Sequence, residues 1–177
     1  MRDKDSVILE NLYKSILNEN NIQISYINDK DKEICLKIFE QAFPQYNLKD
    51  YIKYFEDTVK WEKSLKAVVN GKTVGIYLLG DRSLEDAIKE EKAIPKEDLS
   101  DYKNKKGLEG VVLAVLPEYQ KIGIGKKLKN SVENLPYDYL YGLQYKKLGN
   151  LEHWIKSRRV VAESEGPEAV YITLKDL

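Results

Sequence analysis

Apolar and polar positions along the chain change period several times, and each change predicts a new element. Val7, Ile8, Leu9, Leu12, Tyr13, Ile16 and Leu17 recur at helical spacing behind Asp5 or Ser6, which predicts a helix within residues 1–20. Ile22, Ile24 and Tyr26 then alternate with Gln23 and Ser25, the pattern of a strand. Cys35, Ile38, Phe39 and Ala42 share a helix face that Pro44 closes. A second helix, 48–59, presents Leu48, Tyr51, Ile52 and Phe55. Strand-like runs at 65–69 and 73–79 flank Asn70-Gly71, a strong short hairpin signal.

Residues 82–106 are dense in charge, with Pro95 in the middle and few apolar residues (Leu84, Ala87, Ile88, Ile94 and Leu99). They are expected to form two short exposed helices inserted between strands, with disorder as the alternative. The strand predicted at 107–116 is continuously apolar in its second half, as for a strand covered on both faces. A helix at 124–135 and a strand at 137–145 follow, the strand placing Tyr139, Tyr141, Leu143 and Tyr145 on one side. Asn150 is placed to cap a short helix to Lys156. Val160-Val161 and the run 170–174 form a hairpin around Gly166-Pro167. The order predicts a mixed α/β arrangement around one central sheet, in a single domain over 1–177 with an extra N-terminal helix.

Composition narrows the function classes. Lys and Arg together number 29, as do Asp and Glu, so no basic excess marks a nucleic-acid binder. One cysteine, Cys35, and one histidine, His153, argue against a disulfide and against a Cys- or His-based metal site. No apolar segment reaches membrane-spanning length, and the N-terminus lacks a signal-peptide core. The expectation is a cytoplasmic protein without metal, nucleic-acid or membrane partners.

The stretch PEYQKIGIGKKL, 117–128, carries the chemistry. It joins the apolar strand to the helix that follows, and a helix N-terminus offers unpaired N–H groups and partial positive charge to an anion. Glycines there let a phosphate approach the backbone. Two phosphate loops are excluded. Lys127 stands where a P-loop needs Ser or Thr, and Leu128 fills the third glycine position of a dinucleotide fingerprint. Two glycines alone fit a plain turn equally well. The longer pattern, Leu113-x-Val115-x-Pro117-Glu118-Tyr119-Gln120-x-x-Gly123-Ile124-Gly125-x-x-Leu128, resembles the signature of the GNAT superfamily of acyl-CoA-dependent N-acetyltransferases. Element order extends the resemblance from Ile22 to Leu174.

The resemblance implies the GNAT fold: a mixed, mostly antiparallel sheet of about six to seven strands with helices on both faces. It also implies that Gln120, Lys121, Ile122, Gly123, Ile124, Gly125 and Lys126 cradle the pyrophosphate of acetyl-CoA. The pantetheine arm would pair with backbone near Leu113 and Val115, as an added strand does. Glu109, eleven residues before Gln120, matches the offset of a catalytic glutamate in some members. Its competing reading is a solvated strand-start glutamate paired with Lys105 or Lys106. The Leu113 N–H is the expected oxyanion donor, often at a bulge.

The chain departs from the family where a tyrosine acid is usual. Anchored on Asn150, that position holds Ser157, too weak an acid. Tyr141, Tyr145 and His153 are the substitutes, against core or surface roles for each. Arg158 and Arg159 read as a solvated strand edge, with the coenzyme's 3′-phosphate or an acidic substrate as the alternative. The implied function is direct acetyl transfer to a primary amine in a ternary complex. The alternative is a non-catalytic acyl-CoA-binding module on the same fold. Neutral charge suits a small amine, a polyamine, an amino acid or a protein lysine equally, and a homodimer is common in the family.

Overall fold

In the computed structural model, which describes residues 21–145, 158–166 and 169–177, register is set by a few tight turns. β1 (Ile22–Tyr26) leads into α1 (Lys32–Ala42) and α2 (Leu48–Thr58), then β2 (Leu65–Val69) and β3 (Lys72–Gly80). The 82–106 segment carries α3 (Leu84–Glu90) and β4 (Ile94–Pro95). β5 (Gly107–Val115), α4 (Ile124–Val132), β6 (Tyr139–Tyr145), β7 (Arg159–Glu163) and β8 (Val170–Asp176) complete the order. The helices predicted within 1–20 and at 150–156 lie outside the described residues.

The eight strands of the described residues form one mixed sheet in the order β1-β2-β3-β5-β6-β8-β7-β4. Every pairing is antiparallel except β5 with β6. Asn70 and Gly71 take φ of 50° and 77°, the left-handed pair that a twisted two-residue hairpin requires. β3 is buried without interruption from Val74 to Gly80, so both of its faces are covered. α1 packs on β3 and β5 through Cys35, Ile38 and Phe39, and α4 packs through Ile124, Leu128 and Val132. Burial pushes the Cys35 thiol up to about 12, with Asp31 adding to it, so the group is a core filler. Lys127 of α4 donates its ammonium to the Ile22 carbonyl at 2.7 Å and ties the helix to the sheet edge.

The charged segment departs from expectation. It holds one helix, a two-residue strand and a 3-10 turn at Ser100–Tyr102 instead of two exposed helices. Pro95 bars a second helix and instead pairs, with Ile94, at the outer edge of β7. Ser83 caps α3 by accepting from the Asp86 N–H, and Leu84 and Ala87 are buried in a second core cluster with Tyr139, Tyr141 and Val161. The sheet thereby gains an eighth strand beyond the about six to seven expected for such a mixed sheet.

Ser64 joins three elements at one buried point. Its hydroxyl donates to the Lys60 carbonyl at 2.9 Å and accepts from the Leu79 N–H at 3.0 Å, while its carbonyl accepts from Ile27 N–H at 2.9 Å. Ser64→Ala leaves the Leu79 N–H buried without that acceptor and is expected to destabilise the fold by about 1–3 kcal/mol. Urea unfolding should show a lower midpoint at unchanged slope. An unmoved midpoint would mean that this hydroxyl contributes nothing.

Candidate active site

The site begins where two strands part. β5 and β6 pair in parallel from Gly107 opposite Tyr139 to Gly110 opposite Gly142, and no further. β5 continues to Val115, held on its other side by β3. The β3–β5 register shifts between Leu78 and Leu79, which leaves Val111 as an extra residue on β5. Such a bulge bends the strand that carries it. Beyond it the Leu116 N–H donates to the Val74 carbonyl at 2.9 Å. Backbone groups alternate in direction along a strand, so those of Leu113 and Val115 point away from β3, into the opening. The Val115 carbonyl accepts from the Gln120 side-chain amide at 3.0 Å, in keeping with that direction.

The turn after β5 is built from a 3-10 segment (Pro117–Tyr119) and two left-handed residues, Lys121 at φ 65° and Gly123 at φ 91°. α4 starts from Gly123 with no side-chain cap among the described residues, and its first helical bond is Lys127 N–H to Gly123 carbonyl. The amides of Ile124, Gly125 and Lys126 have no acceptor within the helix, which makes this end electropositive. Of the residues predicted to form the cradle, Lys121 and Lys126 are exposed, Ile122 is half-buried and the Ile124 side chain anchors the turn in the core. Gln120 serves the turn itself: its N–H donates to the Pro117 carbonyl and its side chain to Val115.

The opening leads into a cavity of about 380 Å³ that residues of both β5 and β6 line. α1 and α2 wall it with rings: Phe39 meets Phe55 edge-on at 5.0 Å and Tyr51 at 5.5 Å, and Phe43 and Tyr46 extend the wall. Such pairs add about 0.5–1.5 kcal/mol each beyond burial, which makes the wall stiff. Asp50, Tyr54, Tyr77, Glu109, Tyr145 and Arg158 supply its polar groups. Burial, with the Glu109 carboxylate next in effect, pushes the Tyr54 phenol above its ordinary range, so it remains a neutral donor.

Glu109 lines the cavity but is 1% exposed. Its partner is Arg82, not Lys105 or Lys106. The Arg82 Nε donates to Oε2 at 3.2 Å and Nη2 to Oε1 at 2.5 Å. Register explains the choice: Glu109 stands opposite Gly80, the last residue of β3, and Arg82 follows two residues later. Arg82 also reaches Glu90 on α3. Burial pulls its guanidinium down, but the bonds to Glu109 outweigh this and raise it.

Tyr141 does not reach the cavity. Its side chain is fully buried in the second core cluster, and its hydroxyl donates to the Arg82 carbonyl at 2.7 Å. The phenol braces the loop that carries Arg82. Burial raises it, the Glu109 charge adding to the effect. Tyr145, two turns of the pleat further on, lines the cavity and is 37% exposed. His153 and Ser157 lie outside the described residues. Arg158 and Arg159 part company, as neighbours on an extended chain must. Arg159 is exposed and bonds Glu97 and Asp176, whereas Arg158 is buried in the cavity wall and donates from Nη2 to the Tyr77 hydroxyl at 3.0 Å. Tyr77 and Arg82 thus join the site without having been singled out as its members, and Arg158, expected at a solvated strand edge, is buried because its side chain turns to the inner face of the sheet. Among the described residues, no group of three or more His, Cys, Asp or Glu is placed to hold a metal, and no helix is long and apolar enough to cross a membrane.

No family model matches the sequence, and no curated protein is similar to it in sequence. Solved structures are similar in fold. A GNAT-family acetyltransferase from Streptococcus agalactiae superposes with a TM-score of 0.64 at 12% identity, over 88% of this chain and 95% of the other. Naa50 from Arabidopsis thaliana, solved with the bisubstrate analogue CoA-Ac-MVNAL, gives 0.59 at 18% identity, over 89% and 99%. PaiA N-acetyltransferase from Thermoplasma acidophilum, solved with coenzyme A, gives 0.57 at 14%, over 88% and 99%. The chain has the fold of the GNAT acetyltransferases.

The Arg82–Glu109 pair yields a stability test. Arg82→Met strands a buried carboxylate and is expected to cost about 3–5 kcal/mol, whereas the double variant Arg82→Met with Glu109→Leu recovers much of the loss. Chemical denaturation of these two variants and of Glu109→Leu alone measures the coupling. Additive losses would show that the two side chains do not support each other.

Proposed function

We propose that the protein is an N-acetyltransferase that moves an acetyl group from acetyl-CoA to a primary amine by direct transfer in a ternary complex. One observation carries this reading: the opening between β5 and β6 connects a helix N-terminus that no side chain caps among the described residues with an aromatic, carboxylate-bearing cavity. An extended thiol cofactor with phosphates at its far end has the shape and charge to fill it. Naa50 and PaiA, solved with ligands of this class, support the choice of ligand.

In this reading the amides of Lys121 to Lys126 hold the pyrophosphate, and Leu113 and Val115 offer backbone groups to the pantetheine arm. The coenzyme supplies an activated acyl thioester when bound. Glu109 takes the ammonium proton through water: both its oxygens accept from Arg82, and each keeps a second lone pair for a water molecule. The Leu113 N–H faces the developing oxyanion. Tyr145, on the cavity wall, is the remaining tyrosine to protonate the leaving thiolate. The aromatic wall excludes water and orients the amine, so much of the rate comes from alignment.

Arg82's hold on both Glu109 oxygens also favours a second reading, an acyl-CoA-binding module without turnover, because the carboxylate is already engaged. Thiol release in the presence of an amine panel separates the two: release above the hydrolytic background supports the enzyme, and its absence with coenzyme bound supports the module.

Coenzyme binding itself is tested at Gly125. A Cβ there would meet nothing closer than Leu113 Cδ2 at 3.8 Å, so the fold tolerates one. Gly125→Val is expected to keep the thermal midpoint within a few degrees and to weaken acetyl-CoA binding by about tenfold or more in calorimetric titration, because its side chain crowds the amides. Unchanged affinity would move the phosphates elsewhere.

A further inference from the structure

A second cavity, of about 800 Å³, opens between the start of β5 and the 82–106 segment. Its lining shares no residue with that of the first. The two meet at one ion pair: Arg82 belongs to the second lining and its partner Glu109 to the first. The nine residues of β5, at about 3.3 Å each, set the ends of the strand roughly 25 Å apart, and the turn into α4 follows the other end. The segment that roofs the second cavity is tied down at several points. Ile94 and Pro95 pair with β7, Lys96 bonds Glu163, and Arg159 joins Glu97, Asp176 and the Tyr102 hydroxyl. The space beneath it is therefore held open, at a volume usual for a small-molecule site.

Flat rings form the inner wall. Tyr139 lies over Gly107, where a Cβ would fall 2.3 Å from the ring, and Tyr102 meets Tyr139 edge-on at 5.0 Å. Half-buried Tyr137 adds a third ring. The fold accounts for the acids of the lining. Asp81 is held by Lys60 and Lys63, and Glu97 by Arg159. Asp98 accepts from the Ser100 N–H, and Glu85 sits in the first turn of α3, where a carboxylate is favoured. It does not account for three of the bases. Lys103, Lys105 and Lys106 have no carboxylate in hydrogen-bond or ion-pair contact among the described residues, and Lys105 rests over the Tyr102 ring at 4.7 Å.

We infer that this cavity is a second binding site, for a phosphate monoester carried on a flat ring. Ammonium groups are point charges that suit a doubly charged phosphate, whereas a carboxylate is matched best by the planar fork of an arginine, and Arg82 is already engaged with Glu109. The tyrosines offer stacking area to the body of the ligand. The inference goes beyond the acyl-transfer reading and stands independently of it.

Phenyl phosphate is the probe. Titrated into isotope-labelled protein and followed by amide NMR, it should shift the signals of 82–85 and 103–107 together on one binding curve, with Kd below about 1 mM. Inorganic phosphate, which lacks the ring, and phenol and benzoate, which lack the phosphate, should each bind at least about tenfold more weakly. Lys103→Gln, Lys105→Gln and Lys106→Gln combined should weaken phenyl phosphate by about tenfold or more at low salt. The thermal midpoint should stay within a few degrees, because these ammonium groups support no ion pair of the fold. Arginine at the same three positions keeps the charge and should keep most of the affinity. Shifts confined to 123–126, or none at all, would overturn the proposal. So would inorganic phosphate, phenol or benzoate binding as tightly as phenyl phosphate, or an affinity that the triple Gln variant leaves unchanged.

Discussion

The separation of β5 from β6 after Gly110 is the constraint on which the rest of the structure depends. Parallel strands that pair over their whole length leave no room for a ligand between them. Here the extra residue at Val111 bends β5 while β3 keeps its hold on the other side, and the ladder to β6 stops at that level. The result is an open strand edge inside the sheet, not at its margin. Backbone groups left there need partners, and a ligand that runs as an extra strand provides them. The electropositive start of α4 lies at one end of the opening and the aromatic cavity at the other, so fold and proposed chemistry follow from the same bulge.

Charge is distributed around that opening with little redundancy. Glu109 is the carboxylate on the strand, and Arg82 reaches it from just beyond β3, braced by Tyr141 and linked to α3 through Glu90. The charged segment at 82–106 is thereby tied to the site through one buried ion pair. Such pairs add little net stability compared with apolar packing, yet removing one member is expensive. That asymmetry fits a group retained for what it does to Glu109. Arg158 lines the same cavity, bonded to the Tyr77 phenol.

Much of the fold was legible because period and punctuation agree along most of the chain. Asn70-Gly71, Pro44 and the apolar run ending at Leu116 each force one local outcome, and the strands and helices around them stand close to their predicted bounds. The segment 82–106 was less legible: Leu84 and Ala87 are too few to set a period, and their partners Tyr139 and Val161 come from much later in the chain. The same distance hid the partner of Glu109. Lys105 and Lys106 are near in sequence, but the register of Gly80 opposite Glu109 brings in Arg82. Tyr141 and Tyr145 share a strand and looked equivalent, yet packing around α3 claims the first and leaves the second on the cavity wall. Arg158 and Arg159 are separated by strand alternation, which the sequence shows only once the start of β7 is known.

Amide hydrogen exchange on the intact chain with and without acetyl-CoA tests the opening most directly. Leu108, in the paired half of β5, should be slow in both states. Leu113 and Val115, together with the first amides of α4, should gain protection of about tenfold or more on addition of the coenzyme, because the ligand completes hydrogen bonds that the sheet leaves open. Binding with no added protection at Leu113 and Val115 would contradict it and place the ligand away from the parted strands.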